Sequence, residues 1–541
     1  MGVPGFFSWL IKKYDKKDFT LYKLDGLVDV LYIDSNCFFH PQCFKVLEEN
    51  EENDDLENKM IKKILEYLEY LIEYSNPIKL IYISVDGVAP LSKINQQRYR
   101  RYKSSSDNIL RNLIKKKYDK KCTTWSNMVI TPGTVFMETL HKAILKFIKK
   151  YKKINIIYSS YLSIGEGEHK ILQHIKKNKY DNIVIYGLDA DLFFLSFASK
   201  KENIYLLREE SIFGKTDNDK LVYVSIDSVL FHFNKYLSTH IENENINFND
   251  DIIFICYILG NDFLPHLPSI DIKHNGLDVI FDSYIKTFIK FKSKLINNMI
   301  INMDFLLEFI SGLAKIENKY FKIVINNHRC KINNCDTEYE REIWDLENMK
   351  LFDIEDTVKL GYDNDFLWKY RYYEKNFHIS ENQENAIDKL CYEYLKGLSW
   401  VTKYYFDECP DWRWFYVYPY APFLSDLYNY CLKTKINLNN IKFNTSRPVT
   451  PFVQLLSVIP PSHSFIIPKS YEYLAFDSNI IDLFPVSYQQ NMIHKNQFWE
   501  CNVIIPYLDI DRIEKEVSGI KINKNELERN LEIEEFVFNV L

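Results

Sequence analysis

Four apolar runs in the first 190 residues are continuous rather than alternating: VDVLYID at 28–34, IKLIYISVD at 78–86, INIIYSS at 154–160 and NIVIYGLD at 182–189. A strand covered by protein on both faces needs apolar side chains at every position, so such runs predict buried parallel strands. Helical segments separate them, at 57–74, 137–151 and 169–177. This alternation predicts an α/β fold: a mostly parallel central sheet flanked by helices, with right-handed crossovers.

From about 291 to 360 the rhythm is lost, and polar helix-like text such as IENKYFK and TEYEREIWDLENMK reads as a connector. After Tyr362 the chain becomes aromatic-rich, in WKYRYYEKNF, LSWVTKYYF and DWRWFYVYPYAP. The expected division is a core at 1–290, a helical connector at 291–360 and a second, aromatic-rich helical region at 361–541.

Composition narrows the class. A chain of 541 residues, 46% hydrophobic, has ample material for a large core. Its net charge of -6 advertises no polyanion partner, so any nucleic-acid surface must be a local patch. The 10 cysteines form no CxxC pair and no secretory signal precedes them, which implies reduced thiols in an intracellular protein, expected in the cytoplasm with the nucleus as the alternative. Cys37, His40 and Cys43 lie close together, but their spacing fits no common zinc pattern. No apolar run reaches the ~20 residues a membrane span needs.

Candidate chemistry gathers at the strand ends. Asp34, Asp86 and Asp189 each close one of the apolar runs, and ligands of open α/β sheets collect beyond those carboxyl ends. Glu166 and Glu168 in GEGE, Asp191 in GLDADL and Asp262 in LGNDFLPH complete a set of seven acids at strand ends or helix entries. Glutamates two apart point in different directions on a formed helix, whereas a glycine-flexed entry lets both face one point. Seven carboxylates at one site cannot all stay ionised without cations. Hard divalent ions such as Mg²⁺ take oxygen ligands, and a pair of them would activate a water and stabilise the leaving oxygen of a phosphodiester.

A basic segment follows Asp86 directly. After Pro90, Lys93, Gln97, Arg100 and Arg101 fall at i, i+4, i+7 and i+8, one face of a helix. A point cation, an amide and paired guanidinium groups beside a metal site suit a terminal phosphate monoester.

These residues carry a resemblance. MGVPGFFSWL, DSNCFFH, DGVAPLSKINQQRYRR, GEGEHKI, YGLDADLFFL, LLREESIFG and LGNDFLPHLPSIDI, followed by LSWVTKYYFDECPDWRWFYVYPYAPFLSDL and WECNVIIPYLDIDRI, make the chain similar to the XRN 5′→3′ exoribonucleases, in a short form lacking the large C-terminal extension. The resemblance implies a PIN/FEN-like nuclease core and a second region that closes the active-site channel. It implies that Asp34, Asp86, Glu166, Glu168, Asp189, Asp191 and Asp262 hold two Mg²⁺ ions, with Mn²⁺ as an alternative, and that Lys93, Gln97, Arg100 and Arg101 form a 5′-monophosphate pocket. His40 and one tryptophan, either Trp412 or Trp414, are expected to stack on the first bases. Ile164 stands where the family usually has proline before GEGEHK. The implied substrate is single-stranded 5′-monophosphate RNA, with decapping factors as candidate partners and a monomeric chain. Rival classes are a flap-type DNA nuclease, which shares the acids, and a catalytically idle RNA-binding scaffold, which would be expected to have lost some of them.

Overall fold

The protein is described by a computed structural model covering residues 5–49, 53, 55–212, 215–242, 246–326, 335–362 and 367–540. Residues 1–4 of the opening motif, the last two of LLREESIFG, and 327–334 of the expected connector fall outside the described residues.

An eight-stranded sheet forms the centre. Its strands are β1 (Thr20–Leu21), β2 (Val30–Asp34), β3 (Leu80–Ser84), β4 (Asn155–Ser159), β5 (Ile183–Tyr186), β6 (Ile204–Ile212), β7 (Lys215–Ser225) and a C-terminal strand, Phe536–Phe538. The order is β1-β7-β6-β5-β2-β3-β4 and then the C-terminal strand. The four runs expected as parallel strands are the four adjacent central ones, and β6 joins them in parallel. β1, β7 and the C-terminal strand pair antiparallel at the edges.

Continuous apolarity has the expected cause. Val30 and Tyr32 pack into one core cluster, while Leu31 and Ile33 pack into another on the opposite face. Helices cover both faces: α1 (Phe6–Lys13), α2 (Asn36–Glu49), α3 (Leu56–Ser75), α4 (Leu91–Lys117), α5 (Val135–Ile148), α6 (Gly167–Lys177) and α7 (Asp191–Ala198). In register Asp34 lies opposite Ser84, and Ser84 opposite Ser159, so the carboxyl ends of three strands finish level.

Sequence rhythm gave no sign of two long-range features. The helix Met303–Asn326 buries Phe305, Phe309 and Leu313 in the same cluster as Trp368, Trp400 and Phe423, so part of the expected connector is core. The C-terminal strand pairs with β4, Phe536 opposite Tyr158, so residues of the second region complete the sheet of the first. The helix Pro451–Val458 packs its Phe452, Leu455 and Leu456 on Leu91 and Ile94 of α4. No helix among the described residues is long and apolar enough to cross a membrane.

Candidate active site

The seven acids come from five places in the chain and meet beyond the carboxyl ends of the strands. Asp34 ends β2 and is buried. Asp86 follows β3, and its Oδ1 accepts the Gly167 N–H at 2.7 Å. The Ser84 hydroxyl donates to the Gly167 carbonyl at 2.9 Å, so the GEGE loop is stitched to the end of β3 at both main-chain groups. Gly167 is required by space: a Cβ there would lie 2.8 Å from Asp34 Oδ1 and 3.3 Å from Asp86 Oδ1. Gly165 serves differently, holding a φ of 101° that turns the loop into α6. Glu166 is the residue before α6 and Glu168 lies in its first turn. Asp191 opens α7, and Asp262 follows the helix Asn249–Leu259.

Electrostatics show how closely these groups crowd. Burial and then the neighbouring Asp86 push the Asp34 carboxyl up to about 8. Burial does the same to Asp191, up to about 7, with Asp262 and Asp189 adding to it. Glu168 is driven well above the ordinary carboxylate range by burial and by Asp191. Glu168 Oε2 and Asp191 Oδ1 are buried with no hydrogen-bond partner among the described residues. Orphaned carboxylate oxygens beside other carboxylates are the donor set a hard divalent cation takes. The residues present therefore fit such an ion.

One cation is built in. Lys93 Nζ lies 2.5 Å from Glu166 Oε1 and 2.7 Å from Asp262 Oδ2, all three buried. Burial alone would lower the Lys93 ammonium, but Asp262 and Glu166 hold it well above its usual value. The reciprocal effect pulls Asp262 down against its own burial. Lys93, expected in the phosphate pocket, thus sits at the boundary of the acids and the basic helix face.

Further along that face, Gln97 Oε1 and Arg101 Nη1 are buried and unpartnered among the described residues, and Arg100 is exposed. Burial and Arg100 draw Arg101 down to about 9, which leaves it charged at neutral pH. His40 stands beside these arginines on α2. Burial, then Arg101 and Arg100, depress it to about 4, so its ring is neutral and apolar enough to stack on a base.

The two tryptophans left open by spacing separate here. Trp412 is half-buried, its Cη2 4.0 Å from a Cβ built on Gly165, and its carbonyl accepts the Leu91 N–H at 2.8 Å. It therefore touches both the GEGE loop and the start of α4. Trp414 is buried, 5.5 Å from the Trp400 ring, and belongs to the core.

Sequence reasoning missed a shell of positioning residues. Tyr404 donates its hydroxyl to Glu166 Oε2 at 2.7 Å, and Tyr405 bonds Asp191. His169, unassigned in the sequence, stacks on the Tyr404 ring at 4.2 Å and bonds the Tyr404 carbonyl at 2.9 Å. Lys170 donates to the Val85 and Ser160 carbonyls at 2.8 and 3.0 Å, tying the ends of β3 and β4 together beneath Asp86. The run LSWVTKYYF held a signal for the tyrosines only as a cluster of aromatics, since the partners of Tyr404 lie more than 230 residues away and that of Tyr405 is equally non-local.

Comparison with known proteins falls on both halves. A family model described as the XRN 5′-3′ exonuclease N-terminus matches residues 1–210. A second, the Xrn1 helical domain, matches 242–351 and 331–540. The chain is 28% identical to 5′-3′ exoribonuclease 1 of Homo sapiens over 98% of its own length and 35% of that protein. It is 27% identical to the 5′-3′ exoribonuclease 2 homolog of Drosophila melanogaster over 97% of its length and 72% of that protein. The chain thus spans about a third of the first relative and nearly three-quarters of the second. Among solved structures, the catalytic core of Rad2 in complex with DNA substrate overlaps 71% of this chain and 98% of that one at 14% identity and a TM-score of 0.32, too loose to carry an argument.

Proposed function

The chain belongs to the XRN family of 5′-3′ exonucleases, and we propose that it is a processive exoribonuclease acting on single-stranded RNA that bears a 5′-monophosphate. One observation carries this reading: a basin of seven acids adjoins a helix face on which Gln97 Oε1 and Arg101 Nη1 are buried without a partner among the described residues. Asp34, Asp86, Glu166, Glu168, Asp189, Asp191 and Asp262 would hold divalent cations, two Mg²⁺ in our reading, which supply charge neutralisation at the scissile phosphate and an activated water.

The chain's own residues do the rest. Gln97, Arg100 and Arg101 take the terminal phosphate, a dianion matched to paired guanidinium groups. Lys93 stays charged between Glu166 and Asp262, so it fixes the acids against the phosphate pocket and sets the distance from the strand's end to the cleaved bond. Trp412 and His40 hold the leading bases by stacking, which tolerates any sequence. Water adds across the first internucleotide P–O3′ bond, with inversion expected from in-line attack. A nucleoside 5′-monophosphate leaves with a free 3′-hydroxyl, and the shortened strand keeps a 5′-phosphate that refills the pocket. A pocket sized for one phosphate would exclude a triphosphate or cap, so a decapping factor would have to act first.

End-labelled RNAs bearing 5′-phosphate, 5′-triphosphate or 5′-hydroxyl, with a flapped DNA alongside, provide the test, each with and without Mg²⁺. The expected outcome is Mg²⁺-dependent loss of the 5′-phosphate RNA to mononucleotides. Preference for the flapped DNA, or equal loss of all three RNAs, would overturn the reading. Replacing Asp191 by Asn should lower turnover at least about 10³-fold while the fold is retained.

A further inference from the structure

The spacing of Cys37, His40 and Cys43 fits no zinc pattern, and Cys43 is buried in the core under α2. Cys37 has other company. In the first turn of α2, its Sγ lies with carboxylate oxygens of Asp34 and Asp189, the three ligand atoms all within 4.8 Å of one another. The thiol donates to Asp34 Oδ2 at 3.0 Å and accepts the Leu188 N–H at 3.5 Å. The sulfur is thereby held from both sides, by the end of β2 and by the loop after β5. Asp191, whose carboxyl is raised by burial and by the neighbouring Asp262 and Asp189, is 2% exposed, and its Oδ1 has no hydrogen-bond partner among the described residues. A carboxylate oxygen orphaned at that depth is costly until a cation meets it.

We propose that Cys37 joins Asp34 and Asp189 as a metal ligand, making this corner of the basin a site for a thiophilic divalent cation of the Zn²⁺ type. The inference rests on the reading of the basin as a metal centre. Mg²⁺ takes oxygen ligands and keeps much of its water, whereas a sulfur ligand favours Zn²⁺ and its heavier congener Cd²⁺. As the metal–sulfur bond forms, the thiol proton passes to solvent, and the dication then meets three anionic ligands. A thiophilic ion seated here occupies two carboxylates that the Mg²⁺-dependent reaction needs, so it acts as a reversible brake on RNA degradation.

The test is titration of the full chain with Cd²⁺ in excess Mg²⁺, read by the ultraviolet absorbance of the cadmium–thiolate bond. The expected result is a saturable band whose Cd²⁺ affinity falls about tenfold or more in Cys37→Ser and also in Asp189→Asn. Cys122→Ser, a surface change, should leave the tight band in place. Cys37→Gly, checked by circular dichroism and melting, guards against misfolding of the serine variant. Unchanged Cd²⁺ affinity in both folded Cys37 variants overturns the site. If RNA is degraded but Cd²⁺ binding ignores Cys37, this inference fails and the nuclease reading stands. If Cd²⁺ binds through Cys37 but no RNA is degraded, the nuclease reading fails and the site stands.

Discussion

Two stripes run along the helix Leu91–Lys117, each at i, i+4 and i+7, and they do opposite work. Lys93, Gln97 and Arg100 form the first. Arg98, Tyr102 and Ser105 form the second, five residues further on and about 140° around the helix. On the second stripe Arg98 donates from Nη1 to the Ser457 carbonyl at 2.7 Å and from Nη2 to the Leu483 carbonyl. The Tyr102 carbonyl accepts the Tyr488 hydroxyl at 2.6 Å, and Ser105 bonds Ser462 at 2.9 Å. Every one of those partners belongs to the aromatic-rich second region. Arg98 Nε has no partner among the described residues, but both terminal nitrogens are used. Three residues on, Arg101 Nη1 has no partner among the described residues, and its guanidinium lies near His40. The same residue type on one helix, fully buried at Arg98 and half-buried at Arg101, is a structural bolt in one direction and an unsatisfied donor in the other. The lesson is that satisfaction, rather than charge, separates a guanidinium that holds the fold from one that awaits a ligand.

That contrast can be broken from either side. Arg98→Ala should have the largest effect on the fold, a loss of about 3–5 kcal/mol in chemical denaturation, because two charge-assisted hydrogen bonds vanish and two buried carbonyls are stranded. Turnover per folded molecule should change little; a folded Arg98→Ala with wild-type stability would erase the distinction between the stripes. Arg101→Gln should do the reverse. Its melting temperature should match wild type, while kcat/KM on 5′-phosphorylated RNA falls about 100-fold and 5′-hydroxyl RNA is unaffected.

A smaller effect tests the proposed stacking of Trp412 on a base. Trp412→Leu should raise KM about tenfold with kcat nearly kept, since one stacked base is worth ~1–3 kcal/mol. An unchanged KM there would remove Trp412 from the substrate path.

The smallest effect concerns the acids themselves. Asp34 and Asp191 are held up to about 8 and about 7 in the folded chain, against ordinary carboxylate values when unfolded. At these two positions the native state therefore binds more protons, so their contribution to stability is fully present in acid and is lost as pH rises from about 4 toward 8. In chelator the melting temperature should fall by about 2–4 °C across that window, and Mg²⁺ should flatten the slope. A flat profile in chelator would mean that the basin is not electrostatically strained.

Much of this was legible in the chain. Strand ends follow from apolar runs, so the sequence alone places Asp34, Asp86 and Asp189 beyond a sheet. Helical periodicity then put Lys93, Gln97, Arg100 and Arg101 on one face. The sequence could not say that Lys93 would be consumed by Glu166 and Asp262, because that depends on where the loop after the helix Asn249–Leu259 docks. Nor could it choose between Trp412 and Trp414, which differ by two residues and therefore by the direction in which an irregular segment points.

What the sequence by itself determined is local: which runs are buried, where strands stop, which side chains share a helix face. These rest on unbroken apolar runs, which mark strands covered on both faces, and on the helical period of 3.6 residues set by backbone geometry. What only the tertiary structure decided is partnership. Tyr404 reaches Glu166 across 238 residues, Arg98 reaches Leu483 across 385, and the C-terminal strand returns to pair with β4. Such contacts are fixed by the packing of distant elements into shared cores, for which no local pattern in the chain carries a signal.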